Sequence, residues 1–505
     1  MARDFRRPQR DRLFLLPPDM RQWLGEGHVV WFVLDVVDQL DLSVLRERAK
    51  LGGVGRAPLD PGMLLALLVY AYAHGQRSSR QIERLCEVDV AFRVICGDEP
   101  PDHTTIARFR SAHEAAFAEL FSQVLVLCAR AGLGRFGSVA VDGTKIAANA
   151  SRGANRGEEA LRAEAERIIG EAADVDAAED AEHGAGRRGD ELPAELVDPR
   201  SRLVRIRQCL QQIHSERAAE AEQAQAKAER WEERIAHAQR QHAQVRARAA
   251  ARWQATEQGR RPSRGRPPVP PDEHNLVRQA AEVIELNRRR RDAAAEQAAH
   301  RPPARIGSQA ANVTDPQSRL MPTRNGFLQA FNAQIVATDD HLILATGLTS
   351  DTGDVEQFIP MMTAAVDAAE QLTATTGRKD IKIDMILADA GYLAEPNLTA
   401  PGPDRLIAVG KRRATETAAR ETPTQGPPPP ELAPVEAMGH RLRTEDGIRR
   451  YRRRGATVEQ AIGSLKDQVG LRIFARRGAA AAHSELQLAA TVHNLLKLHR
   501  SAATT

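Results

Sequence analysis

A chain of 505 residues is long enough for two or three domains with a real core. Its 71 Lys and Arg against 67 Asp and Glu leave a formal net charge of +4, only mildly basic, but Arg far outnumbers Lys and clusters, which fits phosphate contact better than general solubility. No run approaches a membrane span, the Arg- and Asp-rich N-terminus has no signal-peptide form, and the four cysteines show no paired spacing. A cytoplasmic protein with free thiols and no zinc is expected.

Residues 1–132 read as an all-α N-terminal domain. Pro61 opens an apolar helix through Tyr70, Gly75 breaks it, and Ser78 or Ser79 starts the next, with Ile82, Leu85 and Cys86 on one face. After the Gly97–Asp102 turn comes His103–Arg110, with Ile106 and Phe109 inward and Thr105 and Arg108 outward. That is a helix-turn-helix-like layout in which Thr105 and Arg108 could contact DNA, though such successions are common in helical domains and a structural role is the default.

Ser138-Val139-Ala140-Val141-Asp142-Gly143-Thr144-Lys145 reads as a buried strand carrying Asp142 at its C-terminal edge. Residues 155–305 then turn rich in Ala, Glu, Arg and Gln, with a three-four-three seam of Leu203, Ile206, Leu210 and Ile213, and a Pro-rich tip at 259–271. Two antiparallel helical arms are expected there, the second from Asn275 to Ala299. The arms could pair two subunits, grip DNA or merely tolerate insertion, with pairing ranked slightly first, and Arg288–Arg291 reads by default as a solvated face.

Strands follow at Phe331–Ala337 and His341–Leu348, a helix at Val355–Leu372, and a second acid-bearing strand, Ile381 to Ala388, ending in Asp389-Ala390-Gly391-Tyr392. Leu406–Val409 is a short fifth strand, and a disordered Pro-rich stretch precedes the last motif. In Tyr451-Arg452-Arg453-Arg454-Gly455-Ala456-Thr457-Val458-Glu459, Thr457 and Gln460 fit a capping box that puts Glu459 in a first helical turn, with Lys466 two turns on along the same face. Each acid alone is as well explained by a turn former or a salt-bridged helix. Together, Asp142, Asp389 and Glu459 form a three-carboxylate set of the kind that binds Mg²⁺ or Mn²⁺, two ions activating a nucleophile and stabilising a leaving oxygen.

These motifs resemble those of bacterial insertion-sequence transposases of the DDE type, in the branch with a Tyr-Arg-Glu-Lys C-terminal signature. Asp142, Asp389 and Glu459 match that family's acids, and Lys466 its lysine with six residues between. Tyr451 stands eight before Glu459 where the family has seven, and the arginine is matched by Arg452 or Arg454. Further matches are Asn312–Arg319, Gly326–Gln334 and His493–Lys497; Gln334 and Asp354 point to the same site by resemblance alone.

The resemblance implies an α/β, RNase H-like mixed-sheet catalytic domain (133–154 and 306–500), interrupted by the helical coiled-coil insertion at 155–305. It implies a transposase that binds the element's terminal inverted repeats and target DNA, as a homodimer or higher multimer, and performs metal-dependent strand cleavage and transfer with Mg²⁺ or Mn²⁺. Asp142, Asp389 and Glu459 would be catalytic and metal-binding, and Lys466, Arg452 or Arg454, and Tyr451 would contact DNA. In a bacterial cytoplasm the protein would be nucleoid-associated when bound. The alternative is a catalytically inactive, transposase-derived DNA-binding protein, against which the presence of all three acids argues.

Overall fold

The computed structural model describes residues 19–47, 58–168, 202–259, 269–300, 310–410 and 412–502. It is a mixed α/β chain in two compact units, one of Met1–Arg152 with Gln317–Thr505, the other Gly153–Pro316.

In the first unit the apolar runs become the strands that position the acids. The strands are β1 (Ser138–Ala147), β4 (Arg319–Thr323), β5 (Gly326–Thr338), β6 (Ile343–Thr349), β7 (Met385–Ala388) and β8 (Asp404–Ile407), with β2 (Asn155–Gly157) and β3 (Ala310–Asn312) in the other unit. The six-stranded sheet runs β4-β5-β1-β7-β8, with β6 also paired to β5. β5 is antiparallel to β1, β4 and β6, while β1, β7 and β8 are parallel. Val139, Ala140 and Val141 in β1 and the whole of β7 are buried, the continuous apolar burial expected of central strands covered on both faces. Each large apolar side chain so buried contributes about 1.5–3 kcal/mol.

The helical N-terminal region expected at 1–132 shares this core instead of standing apart. Asp60 caps the Pro61–Ala73 helix through Met63 N, which places Pro61 at the first turn as read. The next helix is Ser79–Val88, with Ile82 and Cys86 buried. His103–Ala112 buries Ile106, Phe109 and also Arg110, whose guanidinium donates to Arg77 O at 2.8 Å and to Tyr72 Oη at 3.3 Å. Ala116–Arg130 packs against the last helix, Ala479–Ala502, and Arg378 ties the connection by donating to the carbonyls of Ala129 and Leu133, each at 2.8 Å. Residues 422–433, expected to be disordered, are an irregular segment in which Thr424 donates to His440 O at 2.6 Å.

His493 and Asn494 join the last helix to the sheet. His493 Nε2 lies 2.8 Å from His341 O, and Nδ1 lies 2.9 Å from Ser464 Oγ. Burial pushes this imidazole down to about 4 from its ordinary 6.5. The folded state thus holds His493 neutral while the unfolded chain takes up its proton first. The stability it lends is whole above pH 6.5 and is lost as pH falls towards 4, by up to about 3 kcal/mol. His493→Gln should flatten that part of the acid destabilisation, read from urea unfolding at pH 7 and pH 5.

In the second unit the long helices Arg202–Glu257 and Asn275–His300 are tied by Arg291–Glu232 at 2.8 Å, and Arg246 of the first pairs at 3.0 Å with Asp272 in the turn just before the second, an antiparallel pattern. The expected seam turns elsewhere: Ile206 and Ile213, with Cys209, pack on Leu161 and Ala311, so β3 and the helix 158–168 cover it. Of the Pro-rich tip, 260–268 lies outside the described residues, as does the insertion's 169–201. Among the described residues no single helix is long and apolar enough to cross a membrane.

Candidate active site

Asp142 and Asp389 come together through strand register. Ala140 lies opposite Leu387 in the parallel pair β1–β7, so two residues further on Asp142 and Asp389 come side by side. Asp389 follows the end of β7, whereas Asp142 lies mid-strand in β1, which runs on to Ala147, and not at its C-terminal edge as expected. Asp142 Oδ1 accepts from Gly143 N, within β1, at 2.9 Å, and Asp389 Oδ1 accepts from Gly391 N, in the turn after β7, at 2.8 Å. Burial pushes the Asp142 carboxyl up to about 6; Arg454 opposes this and the charge of Asp389 adds to it.

Glu459 arrives differently from the sequence reading. Its helix runs Glu445–Asp467, capped by Thr444, whose Oγ1 accepts from Gly447 N at 3.0 Å. Thr457 is therefore mid-helix and not a cap: its hydroxyl donates to Arg453 O at 2.9 Å, one turn back. Glu459 is consequently not in a first turn, and the helix dipole does nothing for it. Val458, Ala461 and Leu465 bury the inward face of this helix. Arg454 lies on the same row, four residues before Val458, and its Nη1 is 3.1 Å from Asp142 Oδ2 while Nη2 is 3.5 Å from Glu459 Oε1. Arg454, not Arg452, is thus the arginine brought to the acids; Arg452 is exposed. A Cβ on Gly455 would stand 3.3 Å from Glu459 Oε1, so glycine there leaves room for the glutamate beside Arg454.

Lys466 Nζ donates to Thr144 Oγ1, on the same face of β1 as Asp142. Tyr451 is half-buried beside Arg454, and burial raises its phenol. Among the described residues no hydrogen bond or ion pair brings Thr105 or Arg108 to this site. Thr105 turns its amide and hydroxyl to Asp102, at 2.9 and 2.7 Å, whereas Arg108 is exposed along a cleft of about 740 Å³.

The other face of β1 carries a polar group that sequence reasoning largely missed. Gln334 and Asn332, both wholly buried, donate to Asp354 Oδ1 at 2.8 and 2.7 Å. Tyr392 donates its hydroxyl to Gln334 Oε1, and Lys145 Nζ stands 3.8 Å from Asp354 Oδ1. The available signal was two amides in an otherwise apolar strand, Phe331-Asn332-Ala333-Gln334-Ile335.

The pair Asp142 and Asp389 suits a hard divalent cation: oxygen donors, like-charged, adjacent and partly desolvated. Among the described residues no three His, Cys, Asp or Glu side chains are grouped closely enough to hold a metal ion, and Glu459 lies against Arg454.

Two family matches bracket this geometry. Residues 18–112 match a family described as "Transposase domain (DUF772)", and residues 430–499, which include Arg454, Glu459 and Lys466, match a "Transposase DDE domain" family. No curated protein and no solved structure matches the chain. A DDE domain implies nuclease or transposase activity on DNA that depends on divalent metal in general. The two matches, one near each end, support an insertion-sequence transposase of the DDE type.

Proposed function

We propose that the chain cleaves DNA at the ends of an insertion sequence and joins the freed 3′-OH to target DNA. The observation that carries this reading is Arg454 between Asp142 and Glu459, from a helix more than 300 residues along the chain from the first aspartate. An RNase H-like domain is supported by the β6-β5-β1-β7-β8 path, three antiparallel strands followed by parallel β7 and β8. The antiparallel arms of the second unit are given the pairing of two subunits.

Asp142 and Asp389 would hold Mg²⁺, or Mn²⁺ in its place, with two ions in the full site. Bound there, the metal would supply Lewis-acid polarisation of the phosphate and a more acidic nucleophile. Glu459, exposed at the rim, orients the attacking water or 3′-OH and accepts its proton. Arg454 and Lys466 donate to phosphate oxygens beside the cleaved bond, the guanidinium in bidentate fashion. Tyr451 holds Arg454 in place, and the N-terminal helices, with Arg108 outermost, read the terminal repeats.

The test is joining: a pre-cleaved oligonucleotide from the gene's flanking DNA, a target plasmid and Mg²⁺. Joined product selects transposition, and cleavage without joining selects a nuclease. Arg454→Ala should lower joining about 100-fold or more, and Arg452→Ala less than about threefold. Equal effects would remove Arg454 from its role. Binding of flanking DNA with neither reaction would leave a DNA-binding derivative.

A further inference from the structure

The polar group behind β1 is built around one carboxylate. Asn332 and Gln334 face Asp354 from mid-strand positions where a sheet ordinarily packs apolar side chains, and burying two amides there is unfavourable unless they are bonded. Asn332 gives its amide nitrogen to Asp354, while its Oδ1 is buried with no hydrogen-bond partner. That orientation gives up one acceptor to hold Asp354. Two glycines keep the space clear. A Cβ at Gly143, the residue after Asp142, would stand 2.5 Å from Asp354 Oδ1, and a Cβ at Gly391, two after Asp389, would stand 3.3 Å from Asp354 Oδ2. Asp354 is therefore wedged against β1 just past Asp142 and against the turn that follows Asp389.

Its cationic neighbour is Lys145, 3.8 Å away, three residues along β1 from Asp142. Lysine is a point charge on a flexible four-carbon stem. Burial lowers this ammonium; Asp354 is the strongest opposing influence, and Asp142 and Asp389 act on it more weakly. Besides Asp354, the carboxylates whose charge acts on Lys145 are those two aspartates, the pair suited to a cation.

We propose that Asp354 is a positioning residue that holds the Lys145 ammonium away from Asp142 and Asp389, leaving both carboxylates to a divalent cation. The proposal rests on the metal-dependent reading above. It makes Asp354 neither a metal ligand nor a proton carrier: its part is to remove an internal competitor.

The test is Mn²⁺ affinity of the full chain without DNA, by titration calorimetry. Asp354→Asn keeps the shape and the acceptor oxygen but loses the charge, and should bind Mn²⁺ about tenfold more weakly than wild type. Asp354→Asn with Lys145→Met should return to wild-type affinity, because the competitor is gone. Wild-type affinity in the single variant overturns the proposal. So does a double variant as weak as the single, the result expected of a ligand or of a scaffold residue. Should Asp354→Asn fail to fold, Lys145→Met alone decides: binding at least as tight as wild type supports the clamp, and weaker binding overturns it. This pattern without any DNA cleavage would sink the transposase reading alone, whereas no Mn²⁺ binding by wild type would sink both.

Discussion

Asp142→Asn is expected to melt higher than the wild-type chain and to cleave no DNA. Burial and the neighbouring Asp389 favour the protonated form of this carboxyl, raising it from 3.8 to about 6, with Arg454 only partly opposing. An acid raised on folding stabilises the fold below its unfolded value, and that stability is lost as pH rises through the folded value. At pH 7 the wild type carries the whole penalty, at most about 3 kcal/mol for two pH units. The asparagine removes it but takes one anion from Arg454, which keeps Glu459, Asp389 and Tyr451, so the net gain is on the order of 1 kcal/mol, or about 2–4 °C. The gain should shrink between pH 6 and pH 4, the window in which His493 acts with the opposite sign. Cleavage should fall by more than about 10³-fold, roughly 4 kcal/mol of transition-state stabilisation. Melting curves at pH 7 and pH 5 beside a nicking assay check both halves. A variant that melts lower and still cleaves would make Asp142 a structural acid.

Asn494→Leu should be the most damaging single change away from the site. The register of β5 and β6 shifts between Val336 and Ala337, and the amide of Asn494 meets the backbone there. Its Oδ1 accepts from Ile343 N at 3.0 Å, and its Nδ2 donates to Ile343 O at 2.9 Å, so one side chain acts as a short piece of strand. All these groups are buried. Leucine matches the volume but leaves a buried N–H and C=O without partners, at about 1–3 kcal/mol each. A loss of about 3–5 kcal/mol in urea unfolding is expected, with the midpoint moving and the slope unchanged. A loss below about 1 kcal/mol would mean that β6 re-pairs without the amide.

The strands carrying Asp142 and Asp389 were legible because an apolar run is a local signal, but their ends were not. Asp389 follows β7 at a glycine turn as read, whereas β1 runs through Asp142 and Gly143 to Ala147, held by its pairing with β5. The helix carrying Glu459 was legible in kind but not in its start. Thr457 and Gln460 make a good capping box, yet Thr444 caps the helix thirteen residues earlier. Gly455 inside that helix costs about 1 kcal/mol, less than burial of Val458, Ala461 and Leu465 returns. That start also decides the arginine, since only a helix already running at 454 puts Arg454 in line with Val458 and Ala461. The seam at Ile206 and Ile213 shows the same limit: its spacing marks a buried face but not what covers it, here Leu161 and Ala311. Lys145 and Asn332 were hidden because their contacts lie across the sheet.

A metal-dependent acid site acting on DNA is tested most simply by nicking of a plasmid carrying the gene's own flanking DNA. Wild type and Asp389→Asn would be compared with Mg²⁺, Mn²⁺ or chelator. Nicks at the element's ends, present only with metal and wild type while both proteins bind the DNA equally, are the predicted result. Nicks of equal yield from Asp389→Asn, or cleavage that persists in chelator, would contradict the account.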